Sequence, residues 1–258
     1  MSGHYVKRYA SAPARSRVEA NYRWLTRLQG PAHLPELRYS GERELRFQHV
    51  EGRHVLPADL TMLAAHLGDV HGSVHQAELR KAELPMPYRA AGGQVLPSFP
   101  ADRLAAVERE LSAGHVPGAR LTVSQARRLI ISADGPAAFY KDANPRNFLI
   151  TPDGTPVTID FDDLSLAPFG YDLAKLVVTL AMTHGLVPAA TVASALASYN
   201  KAASRHCRSL HGVTWEELMG WAEIHHILTS RYAADGRYPC RWDQARPVPA
   251  LEGVSPWP

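Results

Sequence analysis

Two rhythms of apolar and polar residues run along this chain, and they divide it. From Gly3 to Tyr9 the two kinds alternate, which is the period of a half-exposed strand. A Pro-containing connection is expected over 11–16, after which Val18, Tyr22, Leu25 and Leu28 recur at spacings of four and three. That period belongs to a helix with one packed face and one Arg-rich wet face. Leu37-Arg38-Tyr39 and the run 44–50 return to strand character around Ser40-Gly41-Glu42-Arg43, closing a small sheet. Beyond residue 52 helical spacing dominates. Leu60, Leu63, Ala64, Leu67, Val70 and His71 fall on one side of a helix over 58–75, a Pro- and Gly-containing loop follows over 84–100, and helix returns over 101–113. Phe148-Leu149-Ile150 and Val157-Thr158-Ile159 are short β-rich runs around Asp153-Gly154, which predicts a hairpin. After Leu173 the pattern predicts helices over 174–183, 188–202 and 215–232, with no βαβ alternation. The expected fold class is α+β, with a small β-rich N-terminal part and a larger, mainly helical remainder.

Composition narrows the function without naming it. A chain of 258 residues, 45% of them hydrophobic, has material for a sizeable core. Its formal net charge of +3 comes from dispersed Lys and Arg, so nucleic acid is not an expected partner. No apolar stretch approaches the roughly 20 residues of a membrane span, and the first residues lack the apolar core of a signal peptide. A cytoplasmic protein without a membrane partner is the expectation. Cys207 and Cys240 lack metal-ligand spacing and read as free thiols of a reducing compartment.

Candidate chemistry gathers around the predicted hairpin. Phosphoryl transfer needs a carboxylate to accept a hydroxyl proton and oxygen ligands that hold magnesium against the nucleotide phosphates. Asp142 and Asn147 have the Asp-x-x-x-x-Asn spacing of a kinase catalytic loop, in which the Asp is the base and the Asn a metal ligand. The hairpin starts just after Asn147 and ends just before Asp160, so its two ends would bring both toward one ion. Ile159-Asp160-Phe161-Asp162-Asp163 also packs three carboxylates into four positions, which a strand end disfavours without a cation.

With Gly170-Tyr171-Asp172-Leu173-Ala174 added, these segments resemble the aminoglycoside phosphotransferase family, the small-molecule branch of the protein-kinase-like fold. The resemblance implies two lobes, a shortened nucleotide-binding lobe over 1–52 and a catalytic and substrate lobe over 53–258. It implies Asp142 as base, Asn147 and Asp160 as magnesium ligands, and Lys7 on the nucleotide phosphates, held by Glu19. Gln48 and Val50 would offer backbone groups to adenine, with Gly52 letting the chain turn. ATP or GTP would be the donor and a small-molecule hydroxyl the acceptor, an aminoglycoside or similar cationic antibiotic first and a metabolite alcohol next. Asp162, Asp163, Glu216, Glu217, Glu223 and Asp235 are the candidate acidic wall for a cationic acceptor. Asp172 would anchor the catalytic loop. Three departures stand out: Tyr140 replaces the family's usual His, Lys141 replaces its frequent Gly and adds a cation facing either phosphate or solvent, and no glycine-bearing turn precedes Lys7. Two rivals remain. One is a noncatalytic nucleotide binder; the other is a haloacid-dehalogenase-type phosphatase, because Thr158-Ile159-Asp160-Phe161-Asp162 also resembles that group's strand followed by Asp-x-Asp.

Overall fold

The computed structural model describes residues 3–28, 33–208 and 210–247. Strand β1 (His4–Arg8) leads into helix α1 (Ala12–Arg27), then β2 (Leu37–Ser40) and β3 (Glu44–Gln48). The sheet has the order β1-β3-β2 and is antiparallel throughout. Most of 11–16 is helix rather than connection, because Ser11 caps the Ala14 N–H and Pro13 sits in the first turn, where a missing N–H costs nothing. Tyr22 of α1 and Phe47 of β3 meet Phe161 with ring centroids 5.4–5.5 Å apart. This buried triangle ties the first sheet to the carboxylate segment, and each ring contributes about 1.5–3 kcal/mol of burial.

Next come β4 (Arg53–His54) and α2 (Leu60–Ala77), the latter matching the predicted amphipathic helix. Gly52 before β4 is required by close approach rather than by a turn. A Cβ there would lie 2.8 Å from the Ile150 carbonyl oxygen. The expected loop over 84–100 contains a small hairpin, β5 (Tyr88–Arg89) and β6 (Val95–Leu96). Helix α3 (Pro100–Ser112) agrees with the pattern, whereas α4 (Val123–Ile131) lies in a stretch to which the pattern assigned nothing. Its signal is the capping box of Thr122 and Gln125.

The catalytic segment is framed by β7 (Ala137–Tyr140), β8 (Phe148–Ile150), β9 (Pro156–Thr158) and β10 (Ser165–Pro168). β8 and β9 form the predicted hairpin, β4 joins its edge, and β7 pairs with β10. The rest is helical: α5 (Tyr171–His184), α6 (Ala189–Ser204), α7 (Trp215–Ala234) and the short α8 (Trp242–Ala245). α2 lies so close on α6 that a Cβ on Gly68 would fall 2.2 Å from the Tyr199 carbonyl oxygen. Every strand pairing among the described residues is antiparallel. The haloacid-dehalogenase-type reading, which needs parallel strands beside its first Asp, is therefore overturned. No described helix is long and apolar enough to cross a membrane.

Candidate active site

β7 is pinned by Phe139, which is buried and packs edge-on against Trp24 of α1 at 5.5 Å. The chain then bends at Asp142, which has φ 60 and is the one non-glycine among the described residues in the left-handed region. Such a conformation costs on the order of 1–3 kcal/mol and persists only when its surroundings fix it. Here they do. Asp172, at the start of α5, is fully buried and accepts the Lys141 and Ala143 N–H groups, each at 3.1 Å. The Asn147 side chain donates to the Asp142 carbonyl at 2.8 Å, and the Asn144 N–H donates to the same oxygen at 2.6 Å. Asp172 thus straps the loop on both sides of Asp142, the anchor the resemblance implied.

This strapping leaves the Asp142 carboxylate 42% exposed, open to a substrate hydroxyl. Its Oδ1 accepts the Tyr140 hydroxyl at 3.0 Å and faces Lys175 Nζ at 3.4 Å. Tyr140 therefore replaces a His with another donor. Its ring stacks on His225 at 5.9 Å and meets Tyr171 edge-on at 5.3 Å. Burial, with the Asp142 charge beside it, pushes the Tyr140 phenol well above its ordinary range, so it stays a neutral donor. His225 is driven the other way by burial and by the Lys175 charge, and bonds the Tyr171 carbonyl at 2.9 Å.

The hairpin forms and pairs the chain beside Asn147 with the chain before Asp160. The Ile159 N–H donates to the Asn147 carbonyl at 3.0 Å, setting Asn147 beside Asp160. Because Asn147 Nδ2 is committed to Asp142, its Oδ1 remains for a ligand. Among the described residues no three His, Cys, Asp or Glu side chains converge as a metal site. One carboxylate and one amide oxygen still suit magnesium, which takes few protein ligands and completes its shell with water and phosphate. The local charge agrees. Lys7 Nζ sits between Asp160 at 2.8 Å and Asp162 at 2.6 Å, a cation where the two carboxylates call for one. Burial, resisted by the Lys7 hydrogen bond and aided by the Asp160 charge, raises the Asp162 pKa.

The expected Lys7–Glu19 pair does not form. Glu19 is held by Arg15 and Arg23 on its own helix face, each four residues away, and by Ser40 at 3.0 Å. From α1, Asn21 reaches the site instead, buried and donating at 2.9 Å to both the Phe161 and Asp162 carbonyls. Lys141 does not face solvent. It is buried with its ammonium 3.9 Å from the Phe148 ring centroid and without a hydrogen-bond partner among the described residues. Desolvation lowers its pKa. At the expected adenine contact, the Gln48 and His49 N–H groups are taken by the Glu36 and Gly3 carbonyls at 2.8 and 3.0 Å. Gln48 thus loses its role as a donor, and Val50 is the position of that pair still able to offer one.

Beside the carboxylate segment lies a cavity of about 500 Å³, lined by Asp162 and Asp163 together with Tyr140, Tyr171 and Ser165. The rest of the expected acidic wall is elsewhere. Glu223 is buried, accepting from Trp242 at 3.0 Å and from Arg246 at 2.7 Å. Burial opposes its charge, yet hydrogen bonds from His226 and Arg246 win and hold its carboxyl down at about 2. Glu216 and Glu217 are exposed in the first turn of α7, where Glu217 completes a capping box with Thr214. The cavity is lined by the other end of that helix, Leu228 and Arg231. A rise of about 1.5 Å per residue puts the two acids on the order of 16 Å away. Asp235, also exposed, is not among the lining residues. Arg17, Arg103 and Arg231 line the cavity instead, so its charge is mixed.

Sequence reasoning missed Lys175, Asn21 and Arg103. Lys175 carried a signal, since it is the lone charge in the apolar run 173–182 and a buried charge requires a partner. Asn21 also interrupts an apolar face, three residues after Val18. Arg103 carried none.

Comparison with known proteins agrees with this fold. A family model described as the phosphotransferase enzyme family matches residues 3–213. No curated protein matches the chain by sequence. Among solved structures, the macrolide 2′-phosphotransferase of Brachybacterium faecium is similar over 96% of this chain and 85% of its own, at 14% identity and a TM-score of 0.57. The choline kinase of Streptococcus pneumoniae is similar over 91% and 79%, at 13% identity and a TM-score of 0.55. An aminoglycoside phosphotransferase of Streptomyces rimosus, solved with ADP and streptomycin, is similar over 87% and 86%, at 17% identity and a TM-score of 0.51. At these identities the likeness carries the fold, an α+β kinase-like one, and the family match carries the membership. This chain belongs to the phosphotransferase enzyme family.

Proposed function

We propose that this protein transfers the γ-phosphoryl group of ATP, or of GTP, to a hydroxyl of a small molecule. The observation that carries the reading is the strapped loop: an exposed Asp142 carboxylate, fixed from both sides, next to Asn147 and Asp160 at the two ends of one hairpin. Asp142 accepts the hydroxyl proton as that oxygen bonds to the γ-phosphorus. The bond from phosphorus to the β,γ-bridging oxygen breaks, and the nucleoside diphosphate leaves with its electron pair. Tyr140 and Lys175 hold the carboxylate during this step. When bound at Asn147 and Asp160, magnesium neutralises charge on the phosphates. Lys7 then leaves its two carboxylates for the phosphates, and Asp172 keeps the loop in register. The resemblance-based division into lobes at residue 52 fits this reading, with Val50 as the adenine contact.

The acceptor is a small alcohol. Solved relatives whose names state an acceptor span a macrolide, an aminoglycoside and choline, which supports an alcohol and leaves its class to the pocket. Three arginines and three aspartates share the lining, so its charge gives no preference for a polycationic antibiotic. The test is transfer of label from γ-labelled ATP to a panel of small alcohols in the presence of magnesium. Label is expected on an organic acceptor. Label found only in inorganic phosphate would make the protein a hydrolase, and no magnesium-dependent nucleotide binding at all would overturn the reading.

A further inference from the structure

Arg103 lines the acceptor cavity, is 8% exposed and has no carboxylate partner among the described residues. Its hydrogen bonds go to neutral groups, the Phe99 carbonyl and the Ser165 hydroxyl, both at 2.8 Å. Its guanidinium carbon lies 4.6, 5.0 and 4.9 Å from the ring centroids of Phe99, Tyr140 and Tyr171. Aromatic faces attract a cation but do not neutralise it, and a desolvated cation without a counter-charge is costly. The other charges lining the cavity are engaged nearby or exposed to solvent. Asp162 meets Lys7 and Asp163 faces Arg17 at 3.5 Å. Asp102 and Arg231, both exposed, stand at its rim.

We infer that the acceptor alcohol carries an acidic group, a carboxylate or a phosphate, and that Arg103 supplies its counter-charge. This rests on the phosphotransferase reading and names the substrate class of the same site. The placement is close to the base. Arg103 packs on the ring of Tyr140, whose hydroxyl holds the Asp142 carboxylate, so an anion on Arg103 would lie one side chain away from it. A planar guanidinium with spare N–H groups also suits a two-oxygen anion better than an ammonium does.

The experiment offers the full chain with magnesium and ATP four size-matched series: hydroxy-carboxylates, phosphate monoesters with a free hydroxyl, neutral alcohols and amino alcohols. The best acceptor is expected in one of the first two series, and which of the two decides between the anions. Arg103→Gln should raise its KM about 10- to 100-fold, the range of a hydrogen bond to a charged group, with a smaller rise for neutral acceptors. Arg103→Lys, which keeps the charge, should recover part of that loss and serves if the Gln variant does not fold. A neutral or amino alcohol as best acceptor would overturn the inference, as would an equal loss for all series in both variants. If nothing is turned over, calorimetric titration with a hydroxy-carboxylate and a phosphate monoester decides, and no saturable binding that depends on Arg103 is also contrary. Failure of magnesium-dependent nucleotide binding is a different outcome, which removes the underlying reading instead.

Discussion

The catalytic loop and the wall of the acceptor cavity touch at Tyr140, yet they are built in opposite ways. From Tyr140 to Asp162 the loop and hairpin are one continuous stretch, and their contacts are short in sequence: Tyr140 to Asp142, Asn147 to Asp142, and Asn147 to Ile159. The wall is gathered from α1, the β5–β6 hairpin, α3 and the far end of α7, and its members range along the chain from Arg17 to Arg231. Local chemistry, completed by the Asp172 strap from α5, fixes the first, and packing of distant helices decides the second. The reaction type is therefore written in the loop, and the acceptor in the tertiary arrangement.

The sharpest way to break this division is Asp160→Ala. It should lower acceptor-dependent turnover roughly 10³-fold, the scale of removing a major electrostatic element from a site, and titration should show weakened magnesium-ATP binding. Unchanged binding would mean that the hairpin does not present a metal site. Asp172→Ala attacks the strapping. Two buried N–H groups lose their acceptor, at roughly 1–3 kcal/mol each, so denaturant unfolding should show a loss of about 4 kcal/mol together with lost activity.

On the wall side, Glu223→Gln should act on stability and not on acceptor KM. Breaking a buried pair costs about 3 kcal/mol near neutral pH. The folded carboxyl lies at about 2, below its ordinary 4.5. Its contribution is therefore complete above pH 4.5 and is lost as pH falls toward 2, so the melting curves of wild type and variant should converge over that window. A gap that persists below pH 2 would contradict the ion-pair assignment. The smallest effect belongs to Glu217→Ala, which removes half of a capping box. About 1 kcal/mol of stability should go, with acceptor KM unmoved; a shifted KM would return this acid to the site.

These contrasts also mark what was legible. Asp142, Asn147, Asp160 and the intervening hairpin could be read because turn chemistry and residue spacing act over a few positions. Lys7 was placed near the site but given the wrong acid. Glu19 has Arg15 and Arg23 one helical turn away on either side, and such neighbours capture a carboxylate before a distant lysine does. Glu223 failed for the complementary reason. An acid in an amphipathic helix reads the same in sequence whether it faces a cleft or an arginine from the C-terminal segment, and Arg246 lies 23 residues on. Arg103 was invisible because three rings from three elements make its surroundings.

The most direct test of the central claim compares wild type with Asp142→Ala in two assays, phosphoryl transfer from labelled ATP to the best acceptor and magnesium-ATP binding. Loss of the base should cut turnover 10²- to 10⁴-fold while nucleotide binding stays within about threefold of wild type. Full turnover by the variant would contradict the account.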